Sequence, residues 1–251
     1  MSQATGSTDD SRMGDEYILR TEGLTKRFGG LTAIDDVTYQ MPYGEIRCLI
    51  GPNGAGKSTF FNMLAGQLQP TDGQIIYEGE DITGLEPHDR ARRGLSIKFQ
   101  DVNVYPDLSV RENLRIPVQR YERDEDIGRV IDELLALIDL KEQATFDVDR
   151  LSHGEQQWLE IAIATAIDPD LLLLDEPTAG MTIEETKETG ELIQSLSDQG
   201  MSIIVVEHDI TFVEQIAEQV TVLHNGRIFT EGTVTEIKNN EDVQKIYLGE
   251  K

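Results

Sequence analysis

The sequence predicts an α/β fold with a parallel sheet at its centre, and three observations carry the prediction. An apolar stretch, Ile46–Ile50, runs into the glycine-rich segment Gly51-Pro52-Asn53-Gly54-Ala55-Gly56-Lys57-Ser58-Thr59, and a helix-compatible stretch at 57–68 leaves it. Continuous apolar runs at 171–174 and Ser202–Val206 have the length and composition of strands buried on both faces. Strand and helix patterns alternate around these runs, as they do where crossover helices join parallel strands.

Taken in order, the elements fit this fold. Residues 1–15 are rich in Ser, Thr, Gly and Asp and read as a disordered N-terminal tail. Residues 17–43 alternate apolar and polar side chains around Gly29-Gly30 and predict antiparallel strands. Another short strand is expected at 74–77, then a short helix opened by Pro87 and closed at Gly94. Ser109 and Glu112 have capping-box spacing, and Ile127, Val130, Ile131, Leu134, Leu135 and Ile138 recur at helical spacing. A mostly helical insert is therefore expected over about 107–167. Thr182 with Glu185 opens a second capped helix that ends near Gly200. A third short helix and a hairpin at Asn225-Gly226 follow the run at Ser202–Val206. The expected organisation is a tail at 1–15 and one unit at 16–251 that carries the helical insert.

The segment 51–59 fits the phosphate-loop pattern G-x-x-x-x-G-K-[ST]. Its glycines let successive backbone N–H groups turn inward around a polyphosphate, and the following helix points its positive end at the same charge. In that pattern Lys57 reaches the β and γ phosphates and Ser58 ligates Mg²⁺. Four leucines then place Asp175 at the end of a buried strand, where open α/β sheets bind ligands. A carboxylate there suits the Mg²⁺ shell, and the adjacent Glu176 is placed to polarise an attacking water. His208 follows the next buried run and reaches towards the γ phosphate; Gln100, after the stretch 96–99, is a weaker signal. His88 and His224 read as structural. Cys48, alone in the chain, reads as a small core residue, so a disulfide or cysteine-based metal site within one chain is excluded.

Charge narrows the partners. With 47 acidic and 22 basic side chains the net charge is −25, a field that repels nucleic acid backbone and acidic membranes. Arginine outnumbers lysine and the acids are spread along the chain, as on a surface adapted to a high-salt cytoplasm. No apolar run approaches the roughly 20 residues of a membrane span, and the start Met1-Ser2-Gln3-Ala4-Thr5-Gly6 reads as no secretory signal.

Leu151-Ser152-His153-Gly154-Glu155 resembles the LSGGQ signature of the ATP-binding subunits of ABC transporters. It lies between the helical insert and the Asp175-Glu176 strand, where that family has it. The resemblance runs from Tyr17 to the C-terminus. It implies a P-loop NTPase core with an antiparallel β subdomain and an inserted α-helical subdomain, working as an ATPase with ATP and Mg²⁺. It further implies head-to-tail pairing with a second ABC ATPase subunit, identical or different. Each ATP would be clamped between the phosphate loop of one chain and Ser152 and Gly154 of the other, with a signature helix starting after Gly154. By the same resemblance Phe28 stacks on adenine, and Gln100 contacts Mg²⁺ and water. Glu176 is the general base and His208 the switch histidine.

Departures are His153 and Glu155 in the signature, and Ala179-Gly180-Met181-Thr182, which lacks the family's usual aspartate. The segments Phe28-Gly29-Gly30-Leu31-Thr32-Ala33, Gln156-Gln157-Trp158-Leu159-Glu160-Ile161 and Val243-Gln244-Lys245-Ile246-Tyr247-Leu248-Gly249 resemble importers of urea and branched-chain amino acids. The LSHG-x-x-QWLEI form and the 179–182 loop tilt the resemblance to the urea type. Such importers place two ATPases on the cytoplasmic face of two membrane permeases, fed by an extracytoplasmic solute-binding protein. The permease is expected to dock near 101–106, through Val102, Val104 and Tyr105. A soluble ABC-type ATPase acting in DNA repair or on ribosomes is the rival reading, and the acidic surface opposes it. A P-loop GTPase or small kinase is a third reading; a GTPase should carry an N-K-x-D motif, no lysine is followed two residues later by aspartate, and neither class accounts for the segment 151–155.

Overall fold

The computed structural model describes residues 16–98, 104–121, 123 and 125–248. The expected N-terminal tail, Gln100, Val102 and Gly249 lie outside them. Strands β1 (Tyr17–Phe28) and β2 (Leu31–Pro42) form an antiparallel hairpin that turns at Gly29-Gly30, with Gly29 at φ +56°. Strand β3 (Ile46–Ile50) enters the glycine-rich loop and helix α1 (Lys57–Leu64) leaves it. Next come β4 (Asp72–Tyr77), β5 (Glu80–Asp81), α2 (Pro87–Ala91) and β6 (Leu95–Lys98). Helices α3 (Val110–Tyr121), α4 (Ile127–Leu137) and α5 (His153–Thr165) separate β6 from β7 (Leu171–Asp175). The chain then runs through α6 (Ile183–Asp198), β8 (Ser202–Val206), α7 (Ile210–Ile216) and the hairpin of β9 (Gln219–His224) and β10 (Arg227–Thr233). It closes with α8 (Val234–Asn239) and α9 (Glu241–Leu248).

Two sheets result. One is antiparallel, in the order β2-β1-β4-β5; the other has the order β10-β9-β3-β8-β7-β6, parallel except for the β9–β10 pair. The parallel sheet is buried on both faces. Cys48, Ile50, Leu172, Leu174, Ile203 and Val205 face a core shared with α3–α7. Leu49, Leu171, Leu173, Ile204 and Val206 face a second core that holds α1 and the antiparallel sheet. This period of two explains why the sequence there is continuously apolar. Burial also pushes the Cys48 thiol pKa well above its usual value.

Strand register positions the chemistry. Leu49 and Asp175 both pair with Val206, so the C-terminal ends of β3, β7 and β8 stand side by side. The glycine-rich loop, the Asp175-Glu176 turn and the Glu207-His208 turn all spring from this edge.

One element is shorter than its sequence pattern suggests. Helix α1 ends at Leu64 rather than near Leu68, because Gly66 turns left-handed at φ +79°. The fully buried Arg90 donates to the last carbonyls of the helix, Met63 at 2.8 Å and Leu64 at 2.7 Å. A cation at a helix C-terminus satisfies those acceptors and opposes the helix dipole. A Cβ at position 66 would stand 2.8 Å from the Arg90 Nε, so the glycine and the arginine belong together.

Candidate active site

The glycine-rich loop is shaped by backbone neighbours. Gly51 has φ +154°, and a Cβ there would lie 2.2 Å from the Leu223 carbonyl oxygen. Gly56 has φ +106°, and its Cβ would lie 2.7 Å from the Ala33 carbonyl oxygen. The Ala55 N–H bonds the Pro52 carbonyl at 3.1 Å, and the Gly226 N–H bonds the Ala55 carbonyl at 2.9 Å. The hairpin turn at Asn225-Gly226 thus clamps the loop from behind. Helix α1 is capped by Gly56, with no side-chain acceptor and no acid in its first turn. Its first N–H donors are therefore left for a ligand anion. Lys57 Nζ donates to the Gly51 carbonyl at 2.6 Å across the loop. Burial lowers the Lys57 pKa, and Glu176 and Asp175 oppose that shift.

Phe28, residues 53–59 and Glu176 share the wall of one cleft of about 510 Å³. Phe28 is 47% exposed, so a flat face is available to a planar ligand at the cleft mouth. Gly51 and Pro52 form the inner side of the same loop.

Behind the cleft lies a cluster of buried charge. Burial, then the neighbouring Glu176, pushes Asp175 up to about 6. Glu176 sits at φ +44° and its N–H bonds the Val206 carbonyl at 2.9 Å. A non-glycine residue held left-handed at a strand end is a local strain that surrounding hydrogen bonds maintain. His208 Nδ1 lies 3.7 Å from Glu176 Oε1. Beside His208 is Glu207, only 1% exposed, which accepts from the Thr178 hydroxyl at 2.8 Å and from the His208 N–H at 3.1 Å. Its pKa is raised by burial. Lys98, at the end of β6, is buried with Nζ 3.8 Å from Glu160 Oε2. Burial lowers its pKa, against the attraction of Glu160, Asp175 and Glu207.

These residues fit Mg²⁺ and a nucleotide. Among the described residues no group of three or more His, Cys, Asp or Glu forms a ready-made cation cage. Magnesium suits a site with one or two protein oxygens, because it keeps waters and takes the rest of its shell from phosphates. Ser58 lies in the first turn of α1 and Asp175 carries a carboxylate pressed towards neutrality. A divalent cation relieves that penalty. Gln100 lies outside the described residues.

Ser152 and Gly154 do not line this cleft. They form the start of α5, which begins at His153 rather than after Gly154, because Ser152 is its N-cap. The Ser152 hydroxyl accepts from the Glu155 N–H at 3.2 Å, and Glu155 Oε2 accepts from the Ser152 N–H at 2.7 Å. Glu155, a departure from the LSGGQ pattern, therefore completes a capping box. His153 Nε2 stands 2.9 Å from the Ala179 carbonyl oxygen and ties this turn to the loop after Glu176. In that loop Thr182 is the N-cap of α6, paired with Glu185 in another capping box. A hydroxyl thus caps the helix where the resemblance leads one to expect an aspartate.

Comparison with known proteins accords with this arrangement. The family described as ABC transporter matches residues 34–179. The high-affinity branched-chain amino acid transport ATP-binding protein BraF of Pseudomonas aeruginosa is 36% identical over 250 residues, covering 93% of this chain and 98% of the relative. The chain belongs to the ABC transporter family. It is an ABC-type ATPase. LivG of Escherichia coli, named as the same kind of transport ATP-binding protein, is 37% identical over 93% of this chain and 98% of its own length. A solved ATP-binding cassette of an ABC transporter in its ADP conformation superposes with a TM-score of 0.84 at 25% identity, covering 94% of this chain and all of that one.

In this ABC ATPase, sequence reasoning picked out Phe28, residues 53–59 and Glu176 on the cleft wall but missed Leu31, Thr32, Ala33, Asn225 and Gly226 there, and the buried network beside it. Glu207 carried one legible sign, an acid closing the apolar run of β8. Lys98 carried another, a lysine within the short apolar strand β6. Glu160 had none, since an acid on a helix is usually solvated.

Proposed function

We propose that the chain is the ATP-hydrolysing subunit of an ABC importer and that it works as a head-to-tail pair on the cytoplasmic face of two permease subunits. Phe28 stacks on the adenine. The loop from Gly51 to Thr59 wraps the phosphates with backbone N–H groups, and Lys57 leaves its carbonyl partners for the β and γ oxygens. Ser58, Asp175 and Gln100 hold Mg²⁺, which when bound neutralises charge on the transferring phosphate. Glu176 accepts the proton of the attacking water, and His208 orients towards the γ phosphate. Ser152 and Gly154 of the second chain complete the clamp. The observation that carries this reading is the common edge formed by the ends of β3, β7 and β8, where Lys57, Glu176 and His208 converge.

The names of the relatives support a branched-chain amino acid as the solute. Urea or a short amide is the second reading. It rests on the LSHG and 179–182 segments, which touch through His153 and Ala179. In the permease-docking segment Tyr105 is 57% exposed and available for docking, whereas Val104 packs against its own core. Among the described residues no helix is long and apolar enough to cross a membrane, so attachment depends on such docking. The excess of acid suits this work in concentrated salt.

Reconstitution with the permeases and a solute-binding protein tests the reading. Phosphate release stimulated by leucine or by urea identifies the importer and its solute. Release that neither solute stimulates, or a chain that never joins the permeases, contradicts it.

A further inference from the structure

The start of α5 is already occupied by an anion of the same chain. Glu185 Oε1 lies 3.3 Å from the Ser152 hydroxyl, which donates to it. The same carboxylate presses on Gly154: a Cβ there would fall 2.5 Å from Oε1 and 2.6 Å from the carboxyl carbon. The other oxygen, Oε2, accepts from the Thr182 N–H at 2.9 Å and from its hydroxyl at 2.8 Å. One carboxylate therefore straddles the N-termini of α5 and α6. Both helix dipoles favour a negative charge at that point. Hydrogen bonds from the Thr182 N–H and hydroxyl, and beyond them from Ser152 and the Gly154 N–H, hold the Glu185 carboxyl below the usual carboxylate range.

We infer that Glu185 is a latch on the signature turn, a built-in stand-in for phosphate that must swing away before the turn can grip ATP held by a second chain. This rests on the head-to-tail reading, in which Ser152 and Gly154 meet the γ phosphate across the pair. Two anions cannot share these donors. In the resting chain Glu185 satisfies them, and an incoming γ phosphate meets a like charge there. Helix α6 keeps half of its capping box when the carboxylate moves: the Glu185 N–H still donates to the Thr182 hydroxyl at 3.3 Å. The latch sets the ATP occupancy needed for closure and leaves ATP binding to a single chain untouched. His153, bonded to Ala179, keeps the two turns together while the carboxylate moves.

Sedimentation velocity of the full chain with increasing ATP and Mg²⁺ tests this, in a Glu176→Gln background that slows hydrolysis. Adding Glu185→Gln, or Glu185→Ala, is expected to lower the ATP concentration for half-maximal dimerisation by about tenfold, with unchanged ATP affinity of the monomer. Glu184→Gln, which removes a neighbouring charge on α6 outside these contacts, is expected to leave the midpoint in place. An unchanged or higher midpoint in both Glu185 variants overturns the latch, as does an equal shift in Glu184→Gln. If the Glu176→Gln parent binds ATP but never dimerises, the head-to-tail reading itself fails and the latch falls with it.

Discussion

Helices α1 and α5 begin in different ways within one chain. At α1 the cap is Gly56, no side chain accepts from the first N–H groups, and no acid lies in the first turn. At α5 the cap is Ser152, Glu155 closes a capping box, and Glu185 reaches over from α6. The walls differ as well. The missing side chains of Gly51 and Gly56 face backbone carbonyls, of Leu223 and Ala33, which cannot step aside. The missing side chain of Gly154 faces the rotatable end of Glu185. A helix start walled by backbone stays free for an anion, whereas one closed by a side chain is free only when that side chain moves. On the head-to-tail reading, that contrast suits a chain that holds ATP alone and acts on it only with a partner.

The contrast can be broken first at the chemistry. Glu176→Gln is expected to lower phosphate release by about 1000-fold while ATP binding is retained; wild-type turnover would remove Glu176 as the base. Lys57→Ala is next. Losing its charge from the phosphate loop is expected to weaken ATP binding by about 100-fold in an equilibrium titration. Unaltered affinity would mean that the loop does not hold the triphosphate.

Paired glycine variants sharpen the contrast in the scaffold. Gly51→Ala pushes a methyl group into the Leu223 carbonyl and is expected to cost about 2 kcal/mol, a fall of about 4–8 °C in thermal midpoint. Gly154→Ala displaces only the Glu185 carboxylate and is expected to move the midpoint by less than about 2 °C. Equal falls in the two variants would erase the distinction between a fixed wall and a movable one.

A small, pH-dependent shift in stability concerns Asp175. Its folded pKa of about 6 lies above its ordinary value because of burial and then Glu176. The folded chain therefore prefers the neutral form. The penalty is absent below the ordinary carboxylate range, grows as pH rises towards about 6, and is full above it. Asp175→Asn is expected to raise the nucleotide-free thermal midpoint by about 2 °C at pH 8 and to leave it unchanged near pH 4, while Mg²⁺-dependent turnover is lost. A lower midpoint at pH 8 would contradict a strained carboxylate.

The same contrast explains what could be read in advance. The loop at 51–59, strands β7 and β8 and the capping boxes at 109 and 182 are local patterns, in which a few neighbouring residues carry both signal and cause. Glu176 and His208 were legible because they follow buried apolar runs. The early end of α1 was not, because Arg90, which caps it, arrives from another part of the chain. Lys98, Glu160 and Glu207 come from β6, α5 and the end of β8, and only packing makes them one network. Thr182 departs from the family's aspartate, yet the capping box with Glu185 that the sequence predicts is present. The contact of Glu185 with Ser152 spans 33 positions and has no sequence pattern at all.

Mixing two inactive variants tests most directly whether the two helix starts serve one ATP from opposite chains. Lys57→Ala keeps an intact signature turn but lacks the phosphate lysine; Gly154→Asp keeps the phosphate loop but sets a second carboxylate where the γ phosphate must arrive. Neither variant alone is expected to release phosphate. Equimolar mixing in concentrated salt, with Mg²⁺ and ATP, is expected to restore turnover, because each mixed pair holds one intact loop facing one intact signature turn. A mixture as inactive as its parts, although the two chains associate, would contradict the shared site.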